Sequence, residues 1–107
     1  VSISTHVLDT ARGRPAAGVA VTLSHRDAKG AWSEVAKAVT DPDGRVKEFS
    51  LGQIEPGDYR LEFDTRAYFE AMFYPEVSIV FTVRDTGAHH HVPLLLAPFG
   101  YSTYRGT

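Results

Sequence analysis

Along most of this chain apolar and polar residues alternate with a period of two, and that alternation constrains the fold more than any other feature. A period of two places successive side chains on opposite faces of an extended strand, whereas a helix would repeat its apolar positions every three to four residues. The alternation predicts strands over 2–8, 19–26, 32–40, 45–49, 57–64, 76–84, 89–96 and 101–104. Between them stand turn signals: Gly13-Arg14-Pro15, Ala28-Lys29-Gly30, Asp41-Pro42-Asp43-Gly44, Glu55-Pro56-Gly57-Asp58 and Ala97-Pro98-Phe99-Gly100. Glycine supplies positive φ and proline a fixed φ at such places. Short strands at this spacing read as an all-β sandwich or barrel. The segment 65–73 breaks the pattern: it alternates poorly, carries Ala, Glu and Met, and fits one short helix ended at Tyr74-Pro75. Gly13-Arg14-Pro15 reads as a turn and nothing more.

The 107 residues form one domain, 1–107, with no linker, repeat or low-complexity stretch. The absence of cysteine removes disulfides, thiolate metal sites and a thiol nucleophile together. A net charge of −2 without a basic cluster argues against nucleic acid as a partner. No apolar run is long enough for a membrane-crossing helix, and Val1–Val7 alternates as a strand does, unlike a secretory leader. The cytoplasm is the default compartment.

Alternation also assigns faces. In the first strand Val1, Ile3, Thr5 and Val7 face the core, which turns His6 outward. In 89–96 the core face is His90, Val92, Leu94 and Leu96, leaving His89 and His91 on the other side with Pro93. Pro93 lacks a ladder donor and marks an edge or a local irregularity. Ser102 and Tyr104 share one face of the last strand.

Three consecutive histidines, His89-His90-His91, carry the chemical interest. Such a run can be a solvated strand end. As His89-x-His91 on one face it can offer two metal ligands, with His6, His25 or a carboxylate as a third, but no HExxH or cysteine pattern accompanies it. Or it can do metal-free proton transfer, the work imidazole suits near neutrality. Taken alone, His6 and Arg45 are an outward histidine and a strand-end arginine, and His25 reads as structural. Trp32, Phe63 and Phe81 read as core aromatics. Phosphate loop and Gly-x-Ser-x-Gly elbow are both missing, so Ser102 is a nucleophile only with a base beside it. The segment 98–107 is rich in Tyr, Phe and Gly, as if packed against another subunit.

The motifs together resemble one family. Ser4-Thr5-His6-Val7-Leu8-Asp9-Thr10 followed by Gly13-Arg14-Pro15-Ala16 is similar to the opening of transthyretin-related proteins. Thr40-Asp41-Pro42-Asp43-Gly44-Arg45, Tyr68-Phe69 with Phe73-Tyr74-Pro75-Glu76-Val77, and the run from His89 to Thr107 resemble further signatures of the same proteins. The resemblance spans the whole chain. Within the family, His6, Arg45, His91 and Tyr104-Arg105-Gly106 look like the 5-hydroxyisourate hydrolase branch; the hormone-distributing branch lacks these histidines and the terminal motif. Two positions depart from the usual pattern: His90 stands where tyrosine is usual, and Thr107 where serine is usual. A core-facing His90 implies a packing change, and Thr107 keeps a hydroxyl.

The resemblance implies a transthyretin-like (prealbumin) β-sandwich of eight strands with one short helix, assembled as a homotetramer, a dimer of dimers. It implies hydrolysis of the lactam C–N bond of 5-hydroxyisourate to 2-oxo-4-hydroxy-4-carboxy-5-ureidoimidazoline, with no cofactor. His6, Arg45 and His91 are the expected catalytic residues; His6, Arg45, Tyr104 and Ser102 are expected to hold substrate. The rival readings are a carrier of small aromatic ligands and an immunoglobulin-like interaction sandwich, the latter weakened by the missing Cys–Trp–Cys pattern.

Overall fold

A computed structural model describes residues 2–107, and Val1, placed on the core face by alternation, lies outside them. The order along the chain is β1 (Ser2–Asp9), β2 (Arg14–Pro15), β3 (Ala20–Arg26), β4 (Trp32–Val39), β5 (Arg45–Val46), β6 (Gly57–Asp64), β7 (Glu76–Val83), β8 (His89–Ala97) and β9 (Gly100–Thr103). They form two facing sheets. One runs β2-β1-β8-β9, with β5 also on β1; the other runs β4-β3-β6-β7. β1 and β8 pair in parallel, and every other pair is antiparallel.

Alternation explains the core between the sheets. Ile3, Thr5 and Val7 from β1 and Leu94 and Leu96 from β8 face Val21, Leu23, Leu61, Phe63 and Val77 from the other sheet, all fully or almost fully buried. His90 and Val92 take the same inward face of β8. Burial of such side chains stabilises by about 1.5–3 kcal/mol each. Phe63 is buried and Phe81 packs at the core margin. Trp32 is no core residue: its ring meets the guanidiniums of Arg26 and Arg60, each 4.5 Å from its centroid. A broad aromatic ring met by two cations gains from cation–π attraction, which interior packing would not supply.

Three expectations change. The segment 65–73 makes turns, not a helix. Thr65 accepts from the amides of Tyr68 and Phe69, one turn's worth of bonds. The ends are then clasped: Thr65 Oγ1 donates to the Tyr74 carbonyl at 2.6 Å and the Arg66 amide donates to the Pro75 carbonyl at 3.0 Å. A nine-residue stretch gains little from propagating a helix, and the clasp holds its end residues in a closed loop. Arg14–Pro15 forms a two-residue strand against Leu8 and Asp9 where a bare turn reads from sequence. The first sheet therefore has five strands, two of them two residues long, and the total is nine rather than eight.

β2 and β5 divide one edge of β1 between them, with Gly44 at the join. The Val7 amide donates to the Gly44 carbonyl at 2.7 Å, and the Ala16 amide donates to the Val7 carbonyl. A Cβ at Gly44, whose φ is 74°, would stand 2.4 Å from the Val7 carbonyl oxygen, so the position requires glycine. Pro93 is not on an edge strand, since β8 lies between β1 and β9. It does mark an irregularity: the β8–β9 ladder stops at Leu94–Thr103 and resumes as one bridge, His91–Gly106.

Candidate functional site

The parallel register of β1 and β8 builds the site. Ser4 lies opposite His91, Ser2 opposite His89 and His6 opposite Pro93, on the outward face of the sheet. On the other edge of β1, His6 pairs with Arg45 of β5. Two rows of one sheet thus gather His6, Arg45 and His91 from three separate stretches of chain.

The turn before β5 is built by Asp41. Its Oδ1 accepts from the amides of Asp43 and Arg45, each at 2.9 Å, and its backbone carbonyl accepts from the Gly44 amide. The Arg45 amide is the largest influence holding the Asp41 carboxyl below its ordinary value. This turn delivers two things: Arg45 at the start of β5, and the Asp43 carbonyl, to which His6 Nε2 donates at 2.9 Å. A carbonyl only accepts, so His6 carries its proton on Nε2 and leaves Nδ1 free.

His91 is half-buried. Its Nδ1 bonds the Ser4 hydroxyl at 2.7 Å, and Ser4 Oγ also lies 2.9 Å from His89 Nε2. His89 Nδ1 bonds Ser2 Oγ in turn. The two rings lie almost parallel, 16° between planes and 6.2 Å between centroids. Burial first, then the nearby charges of Arg45, His89 and His6, push the His91 imidazolium's pKa below the ordinary 6.5. His91 is consequently neutral at pH 7 and can accept a proton. A cavity of about 200 Å³ lies against this cluster, lined by Ser4, Arg45, Lys47, His89, His91 and Thr107 among others. Gly106 closes over the far side: its amide donates to the His91 carbonyl at 2.8 Å, and a Cβ there would meet His91 Cδ2 at 2.4 Å.

Of the residues expected from sequence, the structure unites His6, Arg45 and His91. Tyr104 follows the end of β9 and lines a different, more apolar cavity of about 210 Å³ with His90, His91, Arg105 and Phe81; His91 belongs to both. Ser102 pairs with Leu95, is exposed, and is not among the residues lining the His91 cavity. Among the described residues no group of three or more His, Cys, Asp or Glu is placed to hold a metal ion. Sequence reasoning missed Ser2 and Ser4, and weighed His89 as a metal ligand. The available signal was parity: Ser2, Ser4 and His6 alternate on one face as His89 and His91 do.

The arrangement can accept a proton at His91, hold electron-rich oxygen with the Arg45 fork, and stabilise charge beside His6. These side chains are chemically suited to acid–base work and oxyanion binding, and they lie on an open sheet face.

Comparison with known proteins agrees with this chemistry. The model of the HIUase/Transthyretin family matches residues 3–106. The uric acid degradation bifunctional protein of Arabidopsis thaliana is 46% identical over 98% of this chain, which spans 37% of that longer protein. The 5-hydroxyisourate hydrolase of Salmonella dublin is 44% identical, covering 98% of this chain and 80% of its own length. Among solved structures, the 5-hydroxyisourate hydrolase of Klebsiella pneumoniae superposes with a TM-score of 0.87 at 37% identity, covering 100% of both chains. Sea bream transthyretin in complex with thyroxine superposes with a TM-score of 0.90 at 32% identity, over 100% of this chain and 96% of that one.

Proposed function

The chain belongs to the HIUase/Transthyretin family, and from that premise we propose that it is a hydrolase of 5-hydroxyisourate rather than a ligand carrier. The sandwich does not decide between the two, since the hydrolase and the hormone-bound transthyretin superpose almost equally well. The site carries the reading: His6, Arg45 and a neutral, half-buried His91 converge on one sheet face, and a carrier has no use for a positioned proton acceptor. The curated relatives that match nearly the whole chain are named for the same hydrolysis.

Opening the lactam needs an activated water, stabilisation of the carbonyl oxygen and a proton for the leaving nitrogen. His91 is the base: Ser4 engages Nδ1, which leaves Nε2 to take the proton from water. Arg45 holds the developing oxyanion with its planar fork. His6, fixed through Nε2 on the Asp43 carbonyl, presents the Nδ1 lone pair to orient the substrate, take the second proton of the attacking water from the tetrahedral intermediate and deliver it to the leaving nitrogen. Tyr104 binds the substrate ring from the adjoining cavity, and Ser102 helps position water once a second subunit closes over the sheet. The working form is a homotetramer, a dimer of dimers, with residues 1–107 as one catalytic domain. No cofactor takes part. No helix among the described residues is long and apolar enough to cross a membrane; the cytoplasm is the proposed compartment.

The test is direct. Urate oxidase generates 5-hydroxyisourate from urate, and its ultraviolet decay is followed with and without the protein and with EDTA. Decay well above the spontaneous rate and indifferent to EDTA supports the reading. His6→Ala, Arg45→Ala and His91→Ala should each lower turnover by roughly two to four powers of ten while leaving the assembly intact. Full activity in all three sinks the site, and decay at the spontaneous rate from folded protein favours the carrier.

A further inference from the structure

Between His91 and solvent runs an unbroken line of polar groups: His91 Nδ1, Ser4 Oγ, His89 Nε2, then His89 Nδ1 and Ser2 Oγ. Ser4 is buried, only 4% exposed, yet both its contacts are imidazole nitrogens. A hydroxyl has one proton, so Ser4 can donate to at most one of the two histidines, and when it does the other must donate to it. While Ser4 donates to either ring, the two tautomers are coupled. When Nδ1 of His91 carries the proton, Ser4 donates to His89 Nε2, and His89 carries its own proton on Nδ1, toward Ser2. When Ser4 donates to His91 instead, His89 must donate through Nε2.

We infer that Ser4 and His89 are positioning residues that hold His91 in the tautomer able to act as base and carry its proton out to solvent through Ser2. The inference rests on the hydrolase reading above. The first of the two arrangements leaves the Nε2 lone pair of His91 free for water. Once Nε2 has taken a proton from water, the Nδ1 proton passes to Ser4, the Ser4 proton to His89 Nε2, the His89 Nδ1 proton to Ser2, and the Ser2 hydroxyl proton to solvent. One proton enters and one leaves, both imidazoles end neutral in the other tautomer, and the line resets when, after product release, the His91 Nε2 proton passes to entering water and a solvent proton returns through Ser2, His89 and Ser4.

Two features fit this line. Hydrolysis of a lactam to a carboxylate and a non-basic ureido nitrogen releases a net proton near neutral pH, which has to leave the site. The surroundings of His91 also disfavour a retained charge: His6 faces it from β1, Arg45 and Lys47 from β5 and its end, His89 from β8, and Tyr104 and Arg105 from the final segment. None of these side chains is a carboxylate. An imidazolium among them is unfavourable, and handing the proton onward relieves it. Ser2 and His89 are accessible to solvent at the far end.

Nitrogen-15 NMR of the intact protein, without substrate, reads the tautomer of each histidine. The wild type should show His91 predominantly protonated on Nδ1. Ser4→Ala should release it toward the Nε2–H form that free imidazole side chains prefer, and Ser4→Thr should keep the wild-type pattern. His89→Gln separates holding from transfer, because its amide oxygen still accepts from Ser4 but cannot pass a proton on. His91 should then keep its tautomer while kcat falls about tenfold at unchanged KM, as in Ser4→Ala, a smaller loss than removing the base itself. An unchanged His91 tautomer in Ser4→Ala overturns the inference, and so does wild-type kcat in both Ser4→Ala and His89→Gln. A wild type that turns over nothing overturns the hydrolase reading instead, and the tautomer spectra still decide the coupling.

Discussion

At the scale of single residues, the proposed base is a histidine whose imidazolium is disfavoured by burial and by the neighbouring Arg45. Burial is the larger cause of the lowered His91 pKa and Arg45 the next. The sign follows: a nearby positive charge opposes the imidazolium, so deleting it makes protonation easier. Arg45→Gln should therefore raise the pKa of His91, and burial should keep it below the ordinary 6.5. An NMR titration of the His91 ring in both proteins measures this without relying on activity. A His91 that titrates at the same or lower pH in the variant contradicts the electrostatic account. In the wild type the acid limb of kcat/KM should correspondingly fall below pH 6.5. Strand parity turns His6 and His91 outward, and Arg45 follows an Asp-Gly turn, but it is the family resemblance that singles these three out as a site. The roles of Ser4 and His89 are not legible in the sequence. They depend on which residue of β8 lies opposite Ser4, and that parallel register joins positions 85 to 87 residues apart.

At the scale of elements, the strands follow periodicity closely and the exceptions have local causes. β5 shrinks to Arg45–Val46 because the chain beyond it returns to β1 by a single backbone bond, from the Phe49 amide to the Ile3 carbonyl. The loop after β6 looks helical by composition, yet long-range bonds decide its shape. Beside the Thr65 clasp, Tyr68 donates from its hydroxyl to Asp9 Oδ2 at 2.8 Å, and the Arg12 amide donates to Asp9 Oδ1 at 2.9 Å. Asp9 is 1% exposed, so these bonds offset the cost of burying a carboxylate at the end of β1. Burial first, and then the Asp9 carboxylate, raise the pKa of the Tyr68 hydroxyl and keep it a donor. Tyr68→Phe should thus cost about 1–2 kcal/mol, the scale of a hydrogen bond to a charged group with partial compensation from Arg12. For a domain of this size that lowers Tm by roughly 4–16 °C. Thermal unfolding at neutral pH checks it, and an unchanged midpoint would show that the loop is held by its other bonds. Composition read this segment as helix because propensity counts neighbours in sequence, and both Asp9 and Pro75 act from outside its windows.

At the scale of the molecule, the open face of the β2-β1-β8-β9 sheet poses the remaining problem. Arg45 and Tyr104 are exposed, and His6 and His91 are covered in part. Stabilising an oxyanion is worth several kcal/mol where water is excluded and far less where it is not. A sandwich of this size encloses no deep cleft of its own, so a second subunit laid over this face is the economical cover. The far end of β8 exposes Phe73, Phe99 and Tyr101, and Tyr104 is exposed beyond β9, aromatic surface suited to association. Activity per chain should accordingly track assembly. On dilution, sedimentation should show the proposed tetramer dissociating, and kcat measured at the same concentrations should fall with the assembled fraction. Constant activity per chain across that transition would mean that one subunit excludes water by itself. The cavity beside Ser4 and His91 would then have to be the complete site, with Tyr104 and Ser102 outside it.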